Sequence, residues 1–164
     1  MVKEAMKKIL RILEKDARTP PEQIALMTGK SVDEVKDSIK KAEENRTVIR
    51  YKTVVDWSKI GEEQVWALIE VKVAPQRDVG FDAIAARIYR FPQAHTVYLL
   101  SGTYDLAVFV VGKTMQEVAS FVSEKLAPLE SVQGTVTHFL LKKYKEDGDI
   151  LAAPEQTQRL PISL

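Results

Sequence analysis

Purely helical periodicity over the first quarter of the chain, β-branched runs interleaved with helical ones further on, and a short break between the two predict an α+β protein of two parts. Residues 3–44 hold three amphipathic segments separated by turn signals, and the stretch after them becomes β-rich, which is the order of a winged helix-turn-helix. Residues 62–148 then read strand, helix, strand, strand, helix, strand. That order predicts a ferredoxin-like β-α-β-β-α-β sheet with both helices on one face.

In the first part, Met6, Ile9, Leu10, Leu13 and Ala17 recur three and four residues apart with charges between them, so residues 3–17 predict one helix. Thr19-Pro20-Pro21-Glu22 ends it and opens the next, with Thr19 as cap, Pro20 at the first helical position and Glu22 reaching back. The second helix, 20–27, turns Ile24, Ala25 and Met27 inward, and Gly29 supplies the turn. Ser31-Val32-Asp33-Glu34 is a second capping box, opening a third helix with Val32, Val35, Ile39 and Ala42 on its inner face. From Val48 to Val55 the pattern is that of a wing hairpin or strand.

Asp56 to Gly61 breaks the pattern and reads as an inter-domain joint. Beyond it lie a strand over 64–73, a helix over 78–90 with Phe81, Ile84, Ala85 and Ile88 inward, and a strand over 94–100. A turn at 101–104 leads to a strand over 105–111. Thr114 and Glu117 form a third capping box for a helix over 114–126, with Val118, Phe121, Val122 and Leu126 inward, and a last strand covers 132–144. Residues 145–164 have no sustained period and predict an extended tail, docked through Ile150, Leu151, Leu160 and Ile162. The domains expected are therefore 1–61, 62–148 and a tail, 149–164. Trp66 and Leu68 alternate with Val65, Ala67 and Ile69, so both faces of the first sheet strand are apolar. One face is expected under the helices and the other against a second subunit.

Charge is uneven. Residues 1–61 carry 14 Lys/Arg against 10 Asp/Glu and residues 62–164 carry 10 against 13, within a net charge of +1. A basic front half suits contact with nucleic-acid phosphates. Cysteine is absent, which removes disulfides, thiolate metal sites and cysteine catalysis. The charged start (Lys3, Glu4, Lys7, Lys8) and the lack of a long apolar run argue against secretion and membrane spanning, and the expected place is the cytoplasm. Gly112-Lys113-Thr114 and Gly29-Lys30-Ser31 imitate phosphate loops, but the glycine such a loop needs upstream is Ala107 in one case and Ile24 in the other. Both read as turn glycines followed by helix caps. His95 and His138, the only histidines, sit in no metal-ligand spacing and read as solvated surface residues. No motif calls for catalysis, a metal or a cofactor.

Two stretches remain as candidate sites. On the third helix, Lys36, Asp37, Lys40 and Lys41 point outward, with Lys30 and Ser31 near its start and Arg46, Arg50 and Lys52 after its end. The second helix of a helix-turn-helix enters the major groove of double-stranded DNA, and lysine is better at phosphate contact than at base discrimination. The second stretch is Ser101-Gly102-Thr103-Tyr104-Asp105. It is either a plain strand connection, with Gly102 at positive φ and Asp105 bonding nearby amides, or a clamp for a small ligand's carboxylate and ammonium.

Taken together, "IALMTGKSVDEVKDSIKKAEENRTVIRYKTVVDWSKIG", "SGTYDLAVFVVG" and "VTHFLLKKYKEDG" closely resemble the Lrp/AsnC family, the feast/famine transcriptional regulators of bacteria and archaea. The resemblance runs to about Gly148. It implies a RAM-type effector domain, homodimers built through the sheet and commonly assembled into octamers as tetramers of dimers, and an amino acid or related small molecule as effector. It places Ser101, Gly102, Thr103, Tyr104 and Asp105 on the effector turn, and Thr135 and Thr137 on the last strand near the same cleft. The chain departs from the family in having Asn45-Arg46-Thr47 where a glycine usually leads into the wing, with Asn expected to take the left-handed turn. It also departs in a recognition helix rich in lysine and aspartate rather than arginine. The alternative reading is a small-molecule sensor acting through protein contacts, its DNA binding weak or lost.

Overall fold

Residues 2–62, 64–74 and 80–151 are described in the computed structural model. The start of the helix expected from Asp78, and the tail positions Leu160 and Ile162, lie outside them. The chain divides into two compact units, Met1–Val54 and Val55–Leu164. Residues 55–61, expected to close the first domain, therefore group with the second unit.

In the first unit α1 spans Val2–Lys15, α2 Pro21–Thr28 and α3 Val32–Glu44. Ile9, Leu13, Ile24, Ala25 and Val35 share one buried core, with Ile12, Val32 and Ile39 packed against it, so the three-and-four spacing does fold the apolar stripes together. Gly29 ends α2 in left-handed backbone at φ 68, where a side chain would be strained. The Glu34 N–H donates to Ser31 Oγ at 3.2 Å and the Ser31 N–H donates to the Glu34 carboxylate at 3.0 Å, a reciprocal cap that fixes the start of α3.

Four local expectations are corrected. Thr19 does not cap α2: its hydroxyl donates to the Asp16 carbonyl at 2.9 Å, and the cap position is Pro20 at ψ 150. The residue before a proline is driven to extended backbone, so the pair Pro20-Pro21 starts the helix one residue later than expected. Met27 is 61% exposed, because so short a helix turns only Ile24 and Ala25 into the core. Asn45 keeps φ −85 while Arg46 takes the left-handed turn at φ 59. The Asn45 carboxamide is occupied instead by the Thr47 N–H at 3.0 Å and the Thr47 hydroxyl at 2.6 Å. Finally, residues 48–55 form no strand. The Val48 N–H donates to the Ala42 carbonyl at 2.9 Å, and with no partner ladder among the described residues β-propensity yields only extended chain.

The second unit begins with a 3-10 turn, Trp57–Ile60, and continues as β1 Val65–Val73, α4 Asp82–Ile88, β2 Ala94–Leu99, β3 Leu106–Gly112, α5 Met115–Phe121 and β4 Val132–Phe139. The strands are antiparallel in the order β2-β3-β1-β4. Ala67, Ile69, Val71 and Val73 of β1 and Leu106, Val108 and Val110 of β3 are buried with Ile84 and Ile88 of α4 and Val118 and Phe121 of α5, so both helices cover the same face. This is the ferredoxin-like arrangement. The opposite face, by strand alternation, carries Trp66, Leu68, Glu70, Lys72, Tyr98, Phe109, Val111, Val136 and His138.

Three details differ from expectation here. The Glu117 carboxylate accepts from the Lys113 N–H at 2.8 Å rather than from Thr114, although the Glu117 N–H does donate to Thr114 Oγ1 at 3.1 Å. Past Phe121 the helix widens into a π turn, Val122–Leu126, closed by the Ala127 N–H on the Val122 carbonyl at 2.8 Å. The last strand stops at Phe139, and a hairpin of β5, Lys145–Glu146, and β6, Asp149–Ile150, follows where an extended tail is expected. Its turn residues, Asp147 at φ 49 and Gly148 at φ 99, are both left-handed, as a two-residue hairpin turn requires.

Candidate functional site

α3 presents its charges from a fixed frame. Val35 and Ala42 are fully buried, so Asp33, Asp37, Lys40 and Glu44, at i, i+4, i+7 and i+11, run along the opposite face as one outward stripe. Lys36, Lys40 and Lys41 are exposed as expected. Lys36 Nζ lies 4.0 Å from Glu22 and Lys40 Nζ 3.9 Å from Glu44, while Lys30 pairs with Glu34 at 3.0 Å. Pairs this exposed hold weakly and exchange readily for another anion. The Glu34 carboxyl is held below the usual carboxylate range, first by the Ser31 N–H and then by Lys30. The Ser31 hydroxyl is committed to the cap. Arg46, Arg50 and Lys52 are exposed on the segment leaving α3, and the Tyr51 hydroxyl ties that segment back to Glu43 of α3 at 2.9 Å. Burial, then the neighbouring Glu43 carboxylate, raises the Tyr51 phenol above its ordinary value.

The β2–β3 turn is closed by the Leu100 N–H on the Asp105 carbonyl at 2.8 Å. Ser101, Gly102 and Thr103 are exposed, Tyr104 and Asp105 half-buried. Gly102 is not at positive φ, contrary to expectation, and a Cβ there would meet nothing within 4 Å. Asp105 bonds to a backbone amide, but to one distant in sequence: its Oδ2 accepts from the Val73 N–H at 2.8 Å, and Lys72 Nζ lies 3.2 Å away. The Val73 N–H, and after it Lys72, holds this carboxyl below the usual range against the opposing effect of burial. The Asp105 N–H donates to the Val71 carbonyl at 3.0 Å, and Val71 pairs with Thr135 on β4. Turn and threonine thus share one row of the sheet, two strand spacings or about 10 Å apart. Thr137 pairs with Ile69, one step along, and both half-buried threonines lie on the helix-covered face.

At the other end of β1, roughly 25 Å along the strand, the structure shows a cleft of about 450 Å³ that no sequence motif announces, lined by Trp57, Gln64, Trp66, Leu140, Lys143 and Glu146 among others. Lys143 Nζ sits 3.6 Å from the centre of the Trp66 ring and 2.8 Å from Glu146, and His95 meets the same ring edge-on at 4.8 Å. The only local signal is the presence of both tryptophans of the chain within ten residues. His138, expected to be solvated, is exposed but has Nε2 3.0 Å from Glu70.

The Lrp/AsnC ligand binding domain family matches residues 66–150, more than half of the chain, and a winged helix-turn-helix DNA-binding family matches residues 4–48. The HTH-type transcriptional regulator YugG of Bacillus subtilis is 49% identical over 156 residues, 94% of each chain. The chain belongs to the Lrp/AsnC family. A further relative is the HTH-type transcriptional regulator FL11 of Pyrococcus furiosus, 28% identical over 88% of this chain and 92% of that one. Among solved Lrp/AsnC structures, AsnC of E. coli superposes with a TM-score of 0.68 at 17% identity, over 87% of this chain and 94% of that one. A transcriptional regulator of Neisseria meningitidis, solved as an L-Met complex, gives 0.70 at 21% identity over 92% and 94%. At such identities these two neighbours establish the fold. The Lrp/AsnC assignment makes the first unit a DNA-binding helix-turn-helix and the second a ligand-binding domain.

Proposed function

We propose that residues 1–61 bind double-stranded DNA to regulate transcription, and that assembly or DNA affinity responds to an amino acid or related small molecule held by residues 62–148. The observation that carries this reading is the joining, in one chain, of a capped helix-turn-helix to an Lrp/AsnC ligand-binding sheet. Lys36, Lys40 and Lys41 of α3, with Lys30 and Ser31 at its start and Arg46, Arg50 and Lys52 beyond its end, make the contacts to DNA, chiefly to phosphates. The acidic partners of Lys30, Lys36 and Lys40 exchange for phosphate oxygens on docking.

The effector lies on Ser101, Gly102, Thr103, Tyr104 and Asp105, with Thr135 and Thr137 on β4, beyond the intervening β1. Asp105 takes the ligand's ammonium, and the amides around Gly102 take its carboxylate. A carboxylate offers about four acceptor positions, so Asp105 keeps capacity beyond Val73 and Lys72. The L-Met complex of the Neisseria regulator supports an amino acid as the class of ligand. The uncovered sheet face, with Leu68, Phe109 and Val136, forms a homodimer, and dimers assemble into an octamer. The protein acts in the cytoplasm, and among the described residues no helix is long and apolar enough to cross a membrane.

A mobility-shift assay on the protein's own upstream DNA, with each of the twenty amino acids in turn, tests the proposal. A retarded complex whose affinity or size changes with at least one amino acid supports it. A complex indifferent to all twenty removes the amino-acid part, and no complex at all removes the whole.

A further inference from the structure

We propose that Asp37 reads a cytosine through the major groove and so fixes one base pair of the operator; this rests on the DNA-binding reading above. Asp37 lies in the middle of the outward stripe of α3, the sixth of its 13 residues. In a helix-turn-helix it is the N-terminal part of this helix that meets base edges. Of the lysines near it, Lys30 lies by Glu34, Lys36 by Glu22 and Lys40 by Glu44, and Lys41, four residues on, makes no ion pair with it among the described residues. Asp37 is exposed and has no hydrogen-bond or ion-pair partner among the described residues. Asp33, the other unpartnered carboxylate on the stripe, has a local reason for its place, since it sits in the first turn where the helix dipole favours a negative charge. Asp37 is a turn further in, caps nothing, and aspartate is among the poorer formers of a helix interior. Beyond a weak, solvent-screened attraction to Lys41 at i+4, the fold draws little from it.

Its chemistry then restricts what it can meet on DNA. An ionised carboxylate only accepts hydrogen bonds, and it is repelled by phosphates and by the acceptor-rich major-groove edge of guanine. The donors available in that groove are the N4 amino group of cytosine and the N6 amino group of adenine. Adenine sets its N7 acceptor beside N6 and would oppose a charged oxygen there, whereas cytosine offers the amino group alone. Lys36 and Lys41 flank the stripe, Lys40 lies on it, and all three hold the backbone, so Asp37 contributes discrimination while opposing non-specific attraction.

The test selects bound duplexes from a library with 20 random base pairs, using the full-length protein, Asp37→Asn and Asp37→Ala. Asn keeps the size of the side chain and can pair with both N6 and N7 of adenine. The native protein is expected to select cytosine at one operator position, Asp37→Asn to move that position to adenine, and Asp37→Ala to lose the preference, with discrimination there falling on the order of tenfold. Both variants are expected to bind random duplex more tightly than the native protein and to melt at its temperature or above. Identical base preferences at every position in all three proteins would overturn the assignment while leaving the DNA-binding reading intact. A native protein that selects no sequence would overturn both.

Discussion

Asp105 shows how one side chain serves two parts of the molecule. Its carboxylate closes the β2–β3 turn onto the end of β1 through the Val73 N–H and Lys72. Because folding lowers its pKa, the contribution is complete above the ordinary carboxylate range and is lost as pH falls through the depressed folded value. Asp105→Asn is therefore expected to lower the melting temperature of the second unit at pH 7, and the gap from the native protein should narrow as pH falls below about 4. A gap constant from pH 7 to pH 3 would show that the charge is irrelevant. In a thermal-shift screen of the twenty amino acids, Asp105→Ala is expected to abolish the ligand-dependent shift; retention of the full shift would remove Asp105 from the effector site. In the first unit, Ser31→Ala removes one half of a reciprocal cap and should cost about 1 kcal/mol, readable by urea denaturation. The sequence shows the Ser31 cap because both partners lie within one turn. It shows Asp105 only as a turn residue, since Val73 stands 32 residues away.

At the scale of elements, amphipathic spacing makes α1, α3, α4 and α5 legible, and Ile9, Leu13, Val35, Ala42, Ile84, Ile88, Val118 and Phe121 are buried as it predicts, while Ala17, expected on the inner face, lies exposed beyond the end of α1 at Lys15. The stretch after α3 reads as a wing strand and is not one, because β-branched residues signal a strand only where a partner ladder exists. The β5–β6 hairpin escapes the sequence pattern although Asp147-Gly148 is a local hairpin signal; its strands are two residues each and too short to show alternation. The π turn after α5 has no signature in that pattern. For α3 the expectation is electrostatic: Lys36→Ala or Lys40→Ala should weaken DNA binding and reduce the salt slope by about one unit for each phosphate left unneutralised. An unchanged slope for both would mean that α3 does not face the backbone.

At the scale of the whole molecule, the sheet leaves a broad apolar surface on its uncovered side. Tyr98 is 56% exposed there and Val136 36%, with Leu68, Phe109 and Val111 half-buried beside them. This is legible in the sequence as a first strand apolar on both faces, and such a surface marks an interaction site. Light scattering at micromolar concentration should return a dimer or a multiple of it, and a monomer mass would contradict the proposed assembly. Charge at this scale is modest: α3 carries five acidic residues against three lysines, so α3 alone offers DNA little net attraction, and in the proposed assembly other elements and other subunits add to it. Competition titration of the native protein on its own upstream DNA against random duplex, across a salt series, tests the central claim most directly. A DNA-binding regulator should lose affinity steeply as salt rises and keep a preference of at least about a thousandfold for its site. Binding that is insensitive to salt, or equal on both duplexes at every salt concentration, would contradict it.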